Sequence, residues 1–163
     1  AVHIHTSSTP LLERSLSALF ESAESPSFES VDSADVQIYR GTNAQDELIG
    51  YAVRVITTGY GGEIQLLVGL SPGLKEIVGI EVVEHLETPG LGAKITASSF
   101  QQQFEGLNPA EDLSFVKNEE PDTEENEIQA ISGATISTRA VVNGINDDVG
   151  TALEALQSEE GKE

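Results

Sequence analysis

Over positions 136–156 the apolar residues Val141, Ile145, Val149, Leu153 and Leu156 recur at spacings of 4, 4, 4 and 3. That rhythm keeps them on one face of a 3.6-residue period and predicts a long amphipathic helix. A second helical pattern lies near the start, where Leu11, Leu12, Ser15, Leu16, Leu19 and Phe20 follow Thr9 and Pro10; Thr9 is placed as its N-cap and Pro10 in its first turn. Between the two helices the period shortens to two. Positions 36–39 alternate, and 48–56 carry Ile49, Tyr51, Val53 and Val55 between small or polar residues. Positions 64–70 are almost continuously apolar, as in a strand buried on both faces, and 77–83 alternate in part, with Gly79 as a candidate bulge. Turns at 41–43, 59–62 and 71–73 separate these strands and predict an antiparallel meander. A short helix over 95–104 ending at Gly106, a weak strand over 113–116 and an acidic, Pro-containing loop over 118–127 complete the pattern. The segment 21–35 reads as a connection. The fold class that follows is α+β, an antiparallel-rich sheet packed by helices and closed by a long C-terminal amphipathic helix. Residues 1–9 read as a loose or linking segment, 10–157 as one domain, and 158–163 as a polar tail.

Composition narrows the function. Lys and Arg number 8 against 28 Asp and Glu, a formal net charge of −20. Nucleic-acid binding needs clustered cations, so a nucleic-acid partner is excluded, and binding to an anionic lipid surface is disfavoured. There is no cysteine, which removes disulfides, thiolate zinc sites, cysteine-ligated iron–sulfur clusters and c-type haem attachment. His3 and His5 form a His-x-His at the N-terminus, read as a chain end and not as a metal site. Redox chemistry in such a chain requires an organic cofactor. No stretch approaches the ~20 apolar residues of a membrane span, and the opening at Ala1 without Met is read as a mature or truncated product.

The candidate chemistry concentrates in Ser132-Gly133-Ala134-Thr135-Ile136-Ser137-Thr138, a run with four hydroxyls directly ahead of the long helix. A helix N-terminus presents unpaired N–H groups and the positive end of the dipole, which suits a phosphate. Hydroxyls there hydrogen-bond such a phosphate, become esterified to it, or simply cap the helix. The loop 87–92 places Pro89, Gly90 and Gly92 where backbone approaches a flat ligand or a phosphate closely, or where a strand merely turns into a helix. Gly59-Tyr60-Gly61-Gly62 reads as a hairpin turn. It lacks the Gly-Lys-[Ser/Thr] ending of a P-loop, and no Gly-x-Gly-x-x-Gly joins a strand to a helix. No Gly-x-Ser-x-Gly elbow is present, and the acidic run at 119–127 lacks the Gly of a calcium loop. His85 beside Glu87 is a weak acid–base pair.

In order and spacing, Gly59-Tyr60-Gly61-Gly62, Leu67-Val68-Gly69, His85-Leu86-Glu87-Thr88-Pro89-Gly90-Leu91-Gly92 and Ser132-Gly133-Ala134-Thr135 resemble the periplasmic FMN-binding domain. That domain is found in the G subunit of the Rnf electron-transport complex and is similar to the C subunit of the sodium-pumping NADH:quinone reductase. The resemblance spans 10–156. It implies an electron-transfer flavoprotein domain with FMN phosphoester-linked to Thr135 by a separate flavin transferase. Glu87, Thr88, Leu91 and Gly92 would contact the flavin, Ser132, Gly133, Ala134 and Ile136 would flank the phosphate, and Lys94 would add a nearby cation. It further implies other subunits of a membrane ion-translocating complex as partners, an N-terminal membrane helix missing from this chain, and a place on the periplasmic face of the bacterial inner membrane. The same resemblance admits the flavin module of another membrane redox or regulatory protein, or a non-redox extracytoplasmic binding domain. The family usually carries Asp three residues before the motif's first hydroxyl, where this chain has Gln129.

Overall fold

The computed structural model describes residues 3–4, 10–31 and 35–160. Its centre is a meander of five antiparallel strands: β2 (Ser27–Val31), β3 (Gln37–Thr42), β4 (Leu48–Thr58), β5 (Glu63–Leu70) and β6 (Ile77–Glu84). Each strand pairs with its neighbour in sequence, as tight turns between strands dictate. β1 (His3–Ile4) adds a two-residue parallel edge to β2. Part of the segment read as loose is therefore in the sheet; Thr9 and His5 lie outside the described residues.

Strand β5 is buried on both faces, as its unbroken apolar run predicts. Ile64, Leu66, Val68 and Leu70 point to one side and Leu67 to the other. The first side joins Ile38, Tyr51, Val53 and Val55 to the stripe Val141, Ile145, Val149, Leu153 and Leu156 of α3 (Thr135–Glu160). The second packs Phe28, Tyr39, Ala52 and Leu67 under Leu12, Leu16 and Phe20 of α1 (Pro10–Leu19) and the turn that follows it. The order of layers is thus helix, sheet, helix. Opposite Gly69 and Gly79 the β5–β6 register slips by one residue, the bulge expected near Gly79.

Three further elements depart from the sequence reading. Within the expected connection 21–35, β2 forms because Phe28, fully buried, anchors it to the α1 layer. The expected helix over 95–104 is three short turns: 3-10 at Gly92–Thr96, α2 (Ser98–Gln101) and 3-10 again at Gln102–Phe104. Ala97 stands between the first two in an extended conformation, φ −71° and ψ 138°, which ends one turn and starts the next while Ile95, Phe100 and Phe104 all reach the core. The strand expected over 113–116 is present as β7 (Ser114–Val116), and the departure is β8 (Glu127–Gln129), an unexpected strand that pairs with it in parallel across the acidic loop. Asn126, buried and left-handed, secures that loop: its amide nitrogen donates to the carbonyls of Asn108 and Glu111, and its oxygen accepts from Asn108 N–H. No helix among the described residues is long and apolar enough to cross a membrane.

Candidate functional site

Three segments meet at one end of the sheet. The β4–β5 hairpin turn at 59–62 closes through Gly59 N–H donating to Gly62 O at 2.7 Å. The loop that leaves β6 runs through 85–92, and α3 begins at Thr135. Between them lies a cleft of about 500 Å³ lined by Tyr60, Thr88, Leu91, Gly92, Gly133, Ala134, Thr135, Ile136 and Ser137. The lining carries no charged side chain, in a molecule of net charge −20. Tyr60, Leu91 and Ile136, all exposed, give it an apolar rim. Gly133 turns the chain into the helix at φ +77°, a conformation side chains rarely adopt. The N–H groups of the first turn of α3 have no acceptor within the helix, so the cleft floor is a helix N-terminus.

The four hydroxyls of the 132–138 run are sorted by the fold. Thr138, fully buried, donates to Ala134 O at 3.1 Å and accepts from Ile131 N–H at 3.2 Å. Ser137, 2% exposed, donates to the Glu87 carboxylate. Ser132 is exposed and stands outside the cleft lining. Thr135 is half-buried, lines the cleft, and its hydroxyl has no hydrogen-bond partner among the described residues.

Glu87 sits behind the cleft wall. Only 5% exposed, its carboxylate accepts from Tyr60 N–H at 2.9 Å and Gly61 N–H at 2.7 Å as well as from Ser137. Burial by itself would raise its pKa. The hydrogen bonds from Ser137, Gly61 and Tyr60, aided by His85, outweigh that cost and hold it below the ordinary carboxylate value. One ionised side chain thus ties together the hairpin turn, the 85–92 loop and the first turn of α3. Gly92 lies so close that a Cβ there would run into Ser137 Oγ and stand 2.9 Å from Glu87 Cβ. His85 accepts the Glu87 N–H at its Nδ1, 3.0 Å away, and stiffens the start of the loop.

Of the residues singled out from sequence, Thr88, Leu91, Gly92, Gly133, Ala134, Thr135 and Ile136 converge on the cleft. Glu87 serves its wall from behind, while Ser132 and Lys94 are exposed beyond the lining. Tyr60 and Ser137 line the cleft and were not among the expected contacts; the hairpin signal at 59–62 marked the turn without showing what it borders. Gln129 lies in β8, where its side-chain amide donates to Glu119 O at 3.2 Å and its backbone N–H donates to the Gln103 amide oxygen at 2.7 Å. No group of three or more metal-ligating side chains occurs among the described residues.

Comparison with known proteins converges on the same segments. The family model described as the FMN-binding domain matches residues 59–149, from the hairpin turn into α3. The G subunit of the ion-translocating oxidoreductase complex of Methanosarcina acetivorans is 40% identical over 126 residues, covering 77% of this chain and 61% of that protein. The G subunit of the Na(+)-translocating ferredoxin:NAD(+) oxidoreductase complex of Acetobacterium woodii is 41% identical over 112 residues, covering 68% of this chain and 52% of that protein. The chain therefore spans a little over half the length of these relatives. Among solved structures, NqrC of Shewanella oneidensis shares the fold with a TM-score of 0.64 at 23% identity, over 71% of this chain and 56% of that one.

Proposed function

The chain belongs to the FMN-binding domain family, and on that footing we propose that its cleft holds FMN esterified through the phosphate to Thr135, making the domain at 10–157 an electron carrier. The observation that carries this reading is the sorting of the hydroxyls, which leaves Thr135 both in the cleft and uncommitted. The residues present fit the group. The volume lies within the usual range for ligand pockets, ~300–1,000 Å³. The uncharged lining spares an anionic phosphate any repulsion from its immediate neighbours, and the helix N-terminus supplies N–H donors and a favourable dipole. Gly133 and the N–H groups of Thr135 and Ile136 would hold the phosphate, with Ala134, whose own N–H donates to Ile131 O, packed beside it. Tyr60, Thr88, Leu91, Gly92 and Ile136 would hold the rest of the flavin and exclude water from it. Bound there, FMN supplies the capacity to accept and release electrons; the chain supplies position and electrostatics.

The names of the similar proteins support a wider setting: a component of a membrane-associated ion-translocating oxidoreductase complex. In that setting the domain works on the extracytoplasmic face, held there by a membrane segment elsewhere in the full protein, with the other subunits as partners and a flavin transferase for maturation. The test is production of the chain with a flavin transferase, followed by denaturing electrophoresis and in-gel flavin fluorescence. A fluorescent band that disappears in Thr135→Val supports the reading. A folded chain without covalent flavin, or a band that persists in Thr135→Val, overturns it.

A further inference from the structure

We propose that Glu87 is the positioning residue that determines which hydroxyl of the 132–138 run is modified, by fastening Ser137 out of reach and holding the turn that carries Thr135 against the cleft. This rests on the reading of Thr135 as the flavin acceptor. Two hydroxyls of the run, on Thr135 and Ser137, belong to residues that line the cleft. They are two positions apart, about 200° round the helix, so with Thr135 on the open side of the cleft Ser137 turns toward Gly92 and Glu87. What stands behind Ser137 holds the helix start in that rotation. Ser137 Oγ is enclosed between Gly92 and the Glu87 carboxylate, to which it donates its proton. Thr135 has no such partner.

A carboxylate beside a serine hydroxyl also raises the opposite possibility, that Glu87 activates Ser137 as a nucleophile. The geometry argues against it. The same carboxylate already accepts two backbone N–H bonds, from Tyr60 and Gly61, which stabilise its charge and weaken it as a base. Ser137 is in addition 2% exposed, without room for a phosphorus centre to approach. Glu87 therefore acts as a restraint. By joining the 59–62 turn to α3 through Ser137, it also fixes where the helix N-terminus stands relative to Tyr60 and Leu91 across the cleft.

The step so directed is a phosphoryl-group transfer without any change of oxidation state. Its donor is a flavin nucleotide whose phosphate is activated as a phosphoanhydride, presented by a transferase. The Thr135 Oγ–P bond forms and the phosphoanhydride P–O bond breaks. A nucleoside monophosphate leaves with the bonding electrons, and the hydroxyl proton passes to a base of the transferase. Nothing in the chain's own cleft needs to serve as that base; its task is to offer one hydroxyl.

The experiment is flavin attachment to the purified chain by a flavin transferase, with the rate followed by flavin fluorescence and the site located by peptide mass mapping. Thr135→Ala, which leaves the restraint in place, is expected to take up no flavin. Glu87→Ala, which removes both carboxylate oxygens and so frees Ser137 and the 59–62 turn, is expected to slow attachment at Thr135 at least tenfold and to place part of the flavin on Ser137. Asn126→Ala, which loosens the 108–127 loop through partners that do not line the cleft, is the control for lost stability and is expected to be modified at Thr135 at the wild-type rate. The proposal is overturned if Thr135→Ala carries flavin on Ser137, or if Glu87→Ala is modified at the wild-type rate on Thr135 alone. It is overturned equally if Asn126→Ala slows attachment as much as Glu87→Ala does. Wild-type flavin on a residue other than Thr135 would instead refute the acceptor assignment on which the proposal stands.

Discussion

Glu87→Gln has a cost to folding that follows from which oxygen accepts which bond. Oε1 accepts from Tyr60 N–H and Ser137 Oγ, and Oε2 accepts from Gly61 N–H. A glutamine with its oxygen in the Oε1 position keeps the first two bonds but turns its NH2 toward Gly61 N–H, two donors facing each other. Hydrogen bonds to a charged group contribute about 1.5–3 kcal/mol against about 0.5–1.5 kcal/mol for neutral ones, and an orphaned buried donor costs about 1–3 kcal/mol. Relief from burying a charge offsets part of this. The expected net loss is about 2–4 kcal/mol, a large share of the ~5–15 kcal/mol that holds a typical domain folded. The loss should depend on pH. Because the folded-state pKa of Glu87 is lowered, the ionised form stabilises the fold above the unfolded value of ~4.3. That contribution disappears as pH falls from there through the folded value. Urea unfolding of wild type and Glu87→Gln, followed by far-UV circular dichroism, should show the full deficit at pH 7 and a smaller one once pH falls below ~4.3. Using the difference between the two proteins cancels the effect of the many other carboxylates. Equal midpoints at pH 7, or a deficit unchanged at pH 3, would refute the reasoning.

Gly144→Ala should destabilise, although alanine gains about 1 kcal/mol of helix propensity over glycine. A Cβ there would stand 2.9 Å from Thr57 Cβ and 3.0 Å from Val55 Cγ1 on β4, and the overpacking costs about 1–3 kcal/mol; thermal unfolding gives the sign. Asp148→Asn should stabilise at pH 7. Burial raises the Asp148 pKa, with Asp147 adding to it and Ile56 N–H opposing, so the charged form is a burden above the unfolded value of ~3.9. The gain should fade as pH falls through the raised folded value and vanish below the unfolded one, as read from urea midpoints. With a net charge of −20, the melting temperature should climb as KCl rises from 0.05 to about 1 M, where the Debye length contracts to ~3 Å; a flat response would show that self-repulsion is minor.

Long periodic elements were legible in the sequence because many residues carry the same message. All five apolar positions of the α3 stripe are buried, and β5 is buried on both faces, as the repeat and the unbroken run foretold. Short elements were not. In β2 a single residue, Phe28, is fully buried, and β8 has three residues whose pairing with β7 is set by the turn around Asn126 and not by periodicity. The break at Ala97 lets three aromatic or aliphatic anchors reach the core from a segment whose spacing also suits one helix. At the site, motif order brought the right segments together, yet it gave no direction to a side chain. Glu87 and Thr88 are neighbours in one motif, but Thr88 faces the cleft while Glu87 faces away toward Ser137. The sequence signal for Glu87's role was its isolation, the one acid among Leu86–Gly92 in an acid-rich chain.

The central claim, a phosphoester at Thr135, is tested most directly on the tryptic peptide 118–139, which contains Ser132, Thr135, Ser137 and Thr138 together. Tandem mass spectrometry of that peptide, from chain produced with a flavin transferase, should find it heavier by FMN less one water, with the added mass on Thr135. An unmodified peptide from a chain whose flavin is released on denaturation, or a modification mapped to Ser132, Ser137 or Thr138, would contradict the account.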